Sequence, residues 1–278
     1  MYPLGMARQT LTLELVVTLV VLALSACGEG GRAHQQAKVR PLPEYPKELH
    51  QGEYYTEEFK PSLSFSVGKD WGNNCELNLG DAPLGSRGVL GEAREVAMVG
   101  GQFVPVQARG DAQGPDYVCL HRPREDTSLI FLNVQKVYKP SRSGTLDTLP
   151  APNNLVGWFE HHPYLQADKP EAVSVGGVKG EQFDVVVEHL PEAYTGTCGS
   201  ECLDLFALSD GSTWAVAAGP YKNRFTIVED AKAGETVTII YGSPAAWFDK
   251  FAPKAERVLE SVRWRVPRSA QGLIHRSA

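Results

Sequence analysis

The amino-acid sequence predicts an α+β fold, preceded by a signal peptide and a flexible tether. Short segments with an apolar residue at every second position are separated by Gly-rich turns, which is the pattern of β-strands joined in hairpins. Near the carboxyl terminus, apolar residues recur at the three- and four-residue spacing of a helix. One long apolar run, residues 15–24, precedes both patterns.

The apolar run predicts a signal peptide over residues 1–26. Its length suits the core of a secretory signal, whereas a helix that crosses a bilayer needs about 20 residues. The run ends in Leu24-Ser-Ala-Cys27, which resembles the bacterial lipobox, in which the cysteine receives lipid. We therefore expect lipidation at Cys27 and a place at the cell membrane, on its extracytoplasmic side. The alternative, a buried segment of a cytosolic protein, does not explain the small residues before Cys27.

Composition limits the partners of the chain. Apolar residues make up 42%, charged residues make up 22%, and the net charge is −6. An acidic chain lacks the basic surface that nucleic-acid binding requires, so we expect no nucleic-acid partner. We expect the membrane, through the lipid anchor, and an envelope protein or a small ligand as partners.

The cysteines predict two disulfide bonds. Besides Cys27 the chain contains Cys75, Cys119, Cys198 and Cys202. An even number of cysteines in an oxidising compartment is typical of disulfides, and four cysteines allow three connectivities. We expect Cys198–Cys202 and Cys75–Cys119. A zinc site normally uses two close cysteine pairs, and here there is one, so we expect no metal.

The chain is expected to fold as one globular domain over residues 59–266. Residues 27–58 begin Cys-Gly-Glu-Gly-Gly and continue with three prolines, which is the composition of a flexible tether. Residues 267–278 are expected to form a disordered tail. In the first half of the domain we expect strands over 61–67, 75–79, 94–99, 102–107, 116–121 and 129–138.

The second half contains the predicted helices. A helix over residues 154–161 would begin after Asn153 as its N-cap. A hairpin over residues 173–188 turns at Gly176-Gly177, and strands follow over 203–208, 213–218, 224–228 and 236–241. The last helix is expected to begin with Ser243 as its cap and Pro244 in its first position, and Pro253 is expected to divide it in two.

Both ends of the predicted domain resemble PsbP-like domains. The stretch from Leu63 to Trp71 is similar to their first strand and turn. The closing stretch is similar to their last helix and strand in Phe248, Phe251, Ala255, Val258-Leu259 and Ser261-Val262-Arg263. The resemblance implies an antiparallel β-sheet with helices packed on it, and a binding or assembly role. A fold alone does not determine a function.

The sequence contains no local motif of an enzyme. A serine hydrolase needs G-x-S-x-G, and before Ser86 the glycine is one place too late. The P-loop and dinucleotide-binding patterns are absent, so we expect no cofactor. His161 and His162 would point about 100° apart on a helix, which does not suit one metal ion. With Trp158 they are the candidate ligand-binding residues.

We therefore expect a non-catalytic binding or accessory module at the cell envelope. The alternative is an exported hydrolase whose catalytic residues lie in no local motif. A cluster of histidines and carboxylates with shifted pKa values in one deep pocket would favour the hydrolase. A solute-binding component of a transporter is a third class, which the absence of two α/β lobes in the sequence pattern disfavours.

Overall fold

Antiparallel pairing dominates the computed structural model, which describes residues 39–44, 47–73, 114–122, 124–125, 127–143, 147–197, 202–211, 213–229, 231 and 235–265, and the backbone of 96–99 and 102–105. The signal peptide, Cys27, the strand 75–79 and the tail 267–278 lie outside the described residues. The strands in chain order are β1 (Arg40–Pro41), β2 (Glu48–Leu49), β3 (Gly52–Tyr55), β4 (Leu63–Val67), β5 (Trp71–Gly72), β6 (Val96–Val99), β7 (Gln102–Pro105), β8 (Tyr117–Arg122), β9 (Thr127–Asn133), β10 (Lys136–Tyr138), β11 (Thr148–Pro150), β12 (Leu165–Ala167), β13 (Glu171–Val175), β14 (Val178–Val187), β15 (Cys202–Ala207), β16 (Thr213–Ala217), β17 (Tyr221–Val228), β18 (Val237–Pro244) and β19 (Arg263–Trp264). The helices are α1 (Leu155–Glu160) and α2 (Ala245–Glu260).

The described strands form three sheets and one separate hairpin. The largest sheet has the order β12-β14-β17-β18-β9-β8-β5-β2, and β13 also pairs with β14. The second sheet has the order β1-β3-β4-β19, the third has the order β11-β10-β15-β16, and β6 pairs with β7. β1 runs parallel to β3, and the long strands of the largest sheet pair antiparallel.

The largest sheet is covered on both faces. Because neighbours along a strand point to opposite faces, Ile239 and Ile240 of β18 belong to two different cores. The first core contains α2 and residues of the second sheet, and the other contains α1 and residues of the third sheet. β9 is buried from Thr127 to Leu132, as expected of a strand that is covered on both sides.

Helix α2 is held on the sheet by apolar contacts and by an ionic network. Its inner face buries Phe248 and Phe251. On the sheet, Arg224 donates from Nη2 to Asp184 at 3.0 Å and from Nη1 to Glu256 of α2 at 3.1 Å. The hydroxyl of Tyr241 donates to the same carboxylate of Glu256 at 3.1 Å. The network therefore connects three strands of the sheet, β14, β17 and β18, to the helix.

The fold is more β-rich than the predicted sheet with helices packed on it. Of the helices in the described residues, α2 has 16 residues and α1 has six. The layer opposite α2 consists of α1 together with the third sheet, so strands cover much of the area where helices were expected. No helix among the described residues has the length and apolar character needed to cross a membrane.

The folded unit begins before the predicted boundary at Phe59. Residues that the sequence assigns to the tether form β1, β2 and β3, and β3 pairs antiparallel with β4. Leu42, Leu49 and Tyr54 are buried in the core. Pro41 does not prevent this pairing, because it lies in the edge strand β1, where a missing N–H disrupts no ladder. The compact unit accordingly starts at Val39.

Local patterns predicted most hairpins correctly. The strand at 61–67 is confirmed as β4, the hairpin at 94–107 is confirmed as β6 and β7, and the hairpin at 173–188 is confirmed as β13 and β14. Gly176 and Gly177 both have positive φ, 58° and 83°, which a turn of this kind requires. The strands predicted at 203–208 and 213–218 are the paired strands β15 and β16.

Three predicted elements differ in detail from the structure. The strand at 129–138 is interrupted after Asn133, and its two parts, β9 and β10, enter different sheets. The N-cap of α1 is Asn154 and not Asn153, because the Oδ1 atom of Asn154 accepts the N–H of Gly157 at 2.8 Å. Ser243 and Pro244 belong to the end of β18, and α2 begins at Ala245.

The prediction that Pro253 divides the last helix is also wrong. Helix α2 continues through Pro253 without interruption. A proline within a helix leaves the carbonyl four residues earlier without its partner, here that of Asp249. Both Asp249 and Pro253 are exposed, so water can reach this carbonyl and the helix can tolerate the loss.

Candidate functional site

A cavity of about 410 Å³ lies between the second sheet, the edge of the largest sheet and α2. Its wall comes from the end of β4, the turn into β5, the end of β8 and the middle of α2. Four cationic side chains line it, Lys69, Arg122, Lys254 and Arg257, and the other lining residues are Gln51, Ser66, Val67, Gly68, Trp71 and Val258. Neither a histidine nor a carboxylate is among these lining residues.

The four cations come from three elements that meet at the cavity. Lys69 lies in the turn after β4, which Asp70 closes with a positive φ of 63°, a conformation that aspartate adopts more readily than most residues. Arg122 is the last residue of β8. Lys254 and Arg257 are three residues apart on α2 and therefore share one face of the helix.

Arg122 is held in place by four groups. Its Nη1 atom donates to the carbonyl oxygen of Lys69 at 2.9 Å, and Nη2 donates to Glu125 at 3.0 Å. The carboxylate of Asp70 lies 3.7 Å from Nη2, and the guanidinium lies over the ring of Trp71, 5.6 Å from its centroid. The Nε atom is buried and has no hydrogen-bond partner among the described residues. These contacts fix the guanidinium of Arg122 beside the cavity.

Glu125, which is not among the lining residues, connects two of the cations. The Nζ atom of Lys254 lies 2.6 and 2.7 Å from its two carboxylate oxygens, and Arg122 contacts it as well. Burial alone would raise the pKa of Glu125, but the hydrogen bonds and charges of Arg122 and Lys254 outweigh this effect and lower the pKa below its usual range. Glu125 is therefore ionised at neutral pH.

The cavity carries an excess of positive charge. Glu125 and Asp70 compensate Arg122 and Lys254, whereas no carboxylate of the described residues forms an ion pair with Lys69 or Arg257. Four cations therefore face two carboxylates, an excess of two positive charges on a chain whose net charge is −6. Cations gathered around a cavity repel one another, and an anion between them relieves the repulsion.

The three residues predicted to bind a ligand lie on the other face of the largest sheet, in and just after α1. The ring of Trp158 contacts that of His162 at 4.9 Å, and His162 is 4% exposed. The Nδ1 atom of His162 accepts the N–H of Tyr164 at 3.3 Å, and burial lowers the pKa of His162 to about 4. His161 is exposed, with its Nδ1 atom 2.6 Å from the carbonyl oxygen of Gly157.

The two histidines therefore occupy different environments, one in the core and one at the surface. Neither lines the cationic cavity. Their predicted role in ligand binding stays a prediction. Among the described residues, no group of three histidine, cysteine or carboxylate side chains is arranged to hold a metal ion.

The described cysteines are buried. Cys119 of β8 and Cys202 of β15 are each disulfide-bonded, and both are almost fully buried. Cys75 and Cys198, their predicted partners, lie outside the described residues. The connectivity Cys75–Cys119 and Cys198–Cys202 stays a prediction.

Sequence reasoning missed the cationic cavity because its residues are distributed over almost the whole domain. Lys69 and Arg257 are nearly 190 positions apart in the chain. The one local signal is the spacing of Lys254 and Arg257, which places both beside the apolar stripe of α2. Such a pair is equally typical of a solvated helix face, so the sequence alone could not identify the site.

Comparisons with known proteins give weak likenesses. No family model matches this sequence, and no curated protein matches it. The structure is similar to cyanobacterial PsbP (CyanoP) from Synechocystis sp. PCC 6803, with 10% identity and a TM-score of 0.31, over 78% of this chain and 95% of that chain. It is also similar to LpqN of Mycobacterium tuberculosis, described as involved in cell envelope biogenesis, with 14% identity and a TM-score of 0.28, over 80% of this chain and 90% of that chain.

The structure comparison thus also finds a weak PsbP-like resemblance, in agreement with the sequence. Both TM-scores lie below 0.5, so neither likeness carries an argument about the function of this chain.

Proposed function

We propose that this chain is a lipid-anchored, extracytoplasmic binding module that takes an anionic ligand into the cationic cavity. The observation that carries the proposal is the charge of the cavity, in which Lys69 and Arg257 have no carboxylate partner among the described residues. A cluster of cations on an acidic chain attracts anions and repels the cationic ligands that the remaining surface would favour.

Lipid anchoring is the second part of the proposal and rests on the lipobox-like stretch before Cys27. Two acyl chains on Cys27 would hold the protein stably at a membrane, whereas a single chain binds only marginally. The anchor would restrict the cavity to ligands at the cell envelope.

An exported hydrolase is the alternative that the cavity disfavours. Hydrolysis needs a base within hydrogen-bonding distance of the nucleophile or of water. The lining residues that the structure describes include neither a histidine nor a carboxylate, and the carboxylate of Glu125 nearby is engaged by Arg122 and Lys254. The cavity is therefore suited to binding rather than to acid–base chemistry.

Thermal unfolding in the presence of sulfate or citrate tests the binding site. At a hundredfold excess over Kd, a bound anion stabilises the fold by about 2.7 kcal/mol, which corresponds to a rise in Tm of roughly 5–10 °C. We expect a rise in Tm that grows with the logarithm of the anion concentration above Kd, for the native chain and for Lys250→Met, which removes an exposed cation of α2 outside the cavity. In Arg257→Met the rise at the same anion concentration should be smaller by about a third or more. An equal rise in all three proteins would mean a general salt effect and would reject the site.

Intact mass of the membrane-extracted protein tests the anchor. We expect a lipid mass on Cys27, and its loss together with release from the membrane in Cys27→Ser. Thiol alkylation before and after reduction, measured on the same material, should detect four thiols only after reduction. An unprocessed chain with free thiols would reject export.

A further inference from the structure

We infer that the anion recognised by the cavity is a phosphate monoester carried on a small organic group. The inference rests on the proposed function, because it names the ligand class for the same site. The charge of the cavity, the origin of its cations in three elements and its size each support it.

The charge of the cavity matches that of a phosphate monoester. The cavity has an excess of two positive charges after Glu125 and Asp70 are counted. A phosphate monoester carries about −1.5 to −2 at neutral pH, which matches this excess. A single carboxylate would leave one positive charge uncompensated, and a neutral ligand would leave both.

The four cations come from three different elements. Lys69 comes from the turn after β4, Arg122 comes from the end of β8, and Lys254 and Arg257 come from α2, so cations of three elements line the cavity. A phosphate group offers three strong acceptor oxygens in a tetrahedral arrangement, whereas the two oxygens of a carboxylate lie in one plane. Donors from three elements therefore suit phosphate better than carboxylate.

The cavity is larger than a bare phosphate ion. The cavity volume of about 410 Å³ is more than ten times the ~30 Å³ that one water molecule occupies in the liquid, so a bare phosphate ion would not fill it. Val67, Trp71 and Val258 form an apolar part of the wall, and all three are buried. Ligand pockets of this size typically combine an apolar wall with a few polar groups. The phosphate is therefore expected to carry an organic group that packs against this wall.

Two sources supply such a group, namely a soluble phosphate ester and a phospholipid with a terminal phosphate. The chemistry at the cavity is the same for both, and the test must separate them. sn-Glycerol 3-phosphate represents the soluble source, and phosphatidic acid in phosphatidylcholine vesicles represents the lipid source.

Isothermal titration calorimetry of the full chain with sn-glycerol 3-phosphate and with succinate, at constant ionic strength, tests the inference. Both ligands are dianions of similar size, so a difference reports the geometry of the acceptor group. We expect sn-glycerol 3-phosphate to bind at least tenfold more tightly than succinate. Vesicle co-sedimentation of Cys27→Ser, which removes the lipid anchor, shows whether phosphatidic acid is bound as well.

The variants are chosen to keep the fold intact. Arg257 is exposed and has no ion pair among the described residues, so Arg257→Met should fold normally and weaken phosphate-ester binding at least fivefold. Lys254→Met should weaken phosphate-ester binding more than Arg257→Met does, although this variant leaves Glu125 without one partner. Lys250→Met is the matched control on α2 and should bind like the native chain.

The outcomes separate this inference from the proposed function. Equal or tighter binding of succinate would overturn the phosphate class and leave an anion-binding module. The same weakening in Lys250→Met as in Arg257→Met would reject the cavity as the site. No binding of any anion would reject both proposals. Binding of the phosphate ester or of phosphatidic acid vesicles, lost in Arg257→Met, would support the inference and identify its source.

Discussion

At the scale of single residues, His162 makes the stability of the fold depend on pH. Burial lowers its pKa to about 4, whereas an unfolded chain would restore the ordinary value near 6.5. The folded state therefore favours the neutral imidazole. This preference contributes about 3 kcal/mol to the free energy of unfolding. The contribution is fully present above pH 6.5 and is lost as the pH falls toward 4.

The variant His162→Gln tests this contribution. Glutamine does not titrate, so the free energy of unfolding of the variant should fall less than that of the native chain between pH 7 and pH 4.5. We expect the two decreases to differ by about 2–3 kcal/mol. Urea denaturation at several pH values measures the difference. His161→Gln removes the neighbouring exposed histidine and should keep the native pH dependence. Parallel stability curves for native protein and His162→Gln would contradict a buried neutral histidine.

Single residues also show where sequence reasoning reaches its limit at the site. The lipobox-like stretch at Cys27 is local, so it could be recognised without a structure. The cavity is assembled from Lys69, Arg122 and two residues of α2, which only tertiary folding brings together. No periodicity or motif in the sequence predicts that these distant cations lie close together, because each of them alone is typical of a solvated surface.

At the scale of elements, helix α2 continues through a proline that was expected to end its first half. The fold over-rides the local preference because the helix buries Phe248 and Phe251 on one side of Pro253 and Val258 on the other. The ionic network of Arg224 and Glu256 holds the second half on the same sheet. Packing on both sides of the proline offsets the hydrogen bond that is lost.

Replacement of Pro253 measures how much the lost hydrogen bond destabilises the fold. In Pro253→Ala the N–H of residue 253 can bond to the carbonyl of Asp249, so we expect the free energy of unfolding to rise by about 1–3 kcal/mol. The unfolded chain also gains freedom, which reduces the increase by about 0.4–1 kcal/mol. Urea denaturation gives the change, with Lys250→Ala as the exposed control in the same helix. An unchanged free energy of unfolding in Pro253→Ala would contradict a helix that continues through residue 253.

The other elements were predictable where local sequence determines them and not where sheet pairing does. Hairpins with Gly-rich turns, such as β13 and β14, were predictable because turn chemistry and strand alternation are local. The interruption between β9 and β10 and the pairing of β1 were not, because they depend on which sheet receives the strand. Residues 39–55 have a linker-like composition and still form strands, since β4 and β5 offer free edges with which they can pair.

At the scale of the whole molecule, the largest sheet belongs to both hydrophobic cores. Ile239 and Ile240 alternate between them along a single strand, so neither core can lose its packing without disturbing β18. Residues 39–265 are therefore expected to unfold in one cooperative transition, in spite of their two cores.

Two core substitutions test this cooperativity. Phe159 of α1 and Phe251 of α2 are buried in different cores, so Phe159→Ala and Phe251→Ala should each lower the free energy of unfolding by about 3–5 kcal/mol. In both variants, far-UV and near-UV circular dichroism should report the same midpoint. Two transitions, with only one of them shifted by each substitution, would mean that the cores unfold independently.

The position of the cavity has a consequence for how its occupancy can be followed in cells. Its wall needs the turn after β4, the end of β8 and the middle of α2, so it exists only when segments from the whole length of the domain are in place. A ligand in the cavity lowers the population of every globally opened form in proportion to its saturation. Resistance to proteolysis at sites far from the cavity would therefore rise with ligand supply, and the lifetime of the protein would itself report how much ligand the envelope contains.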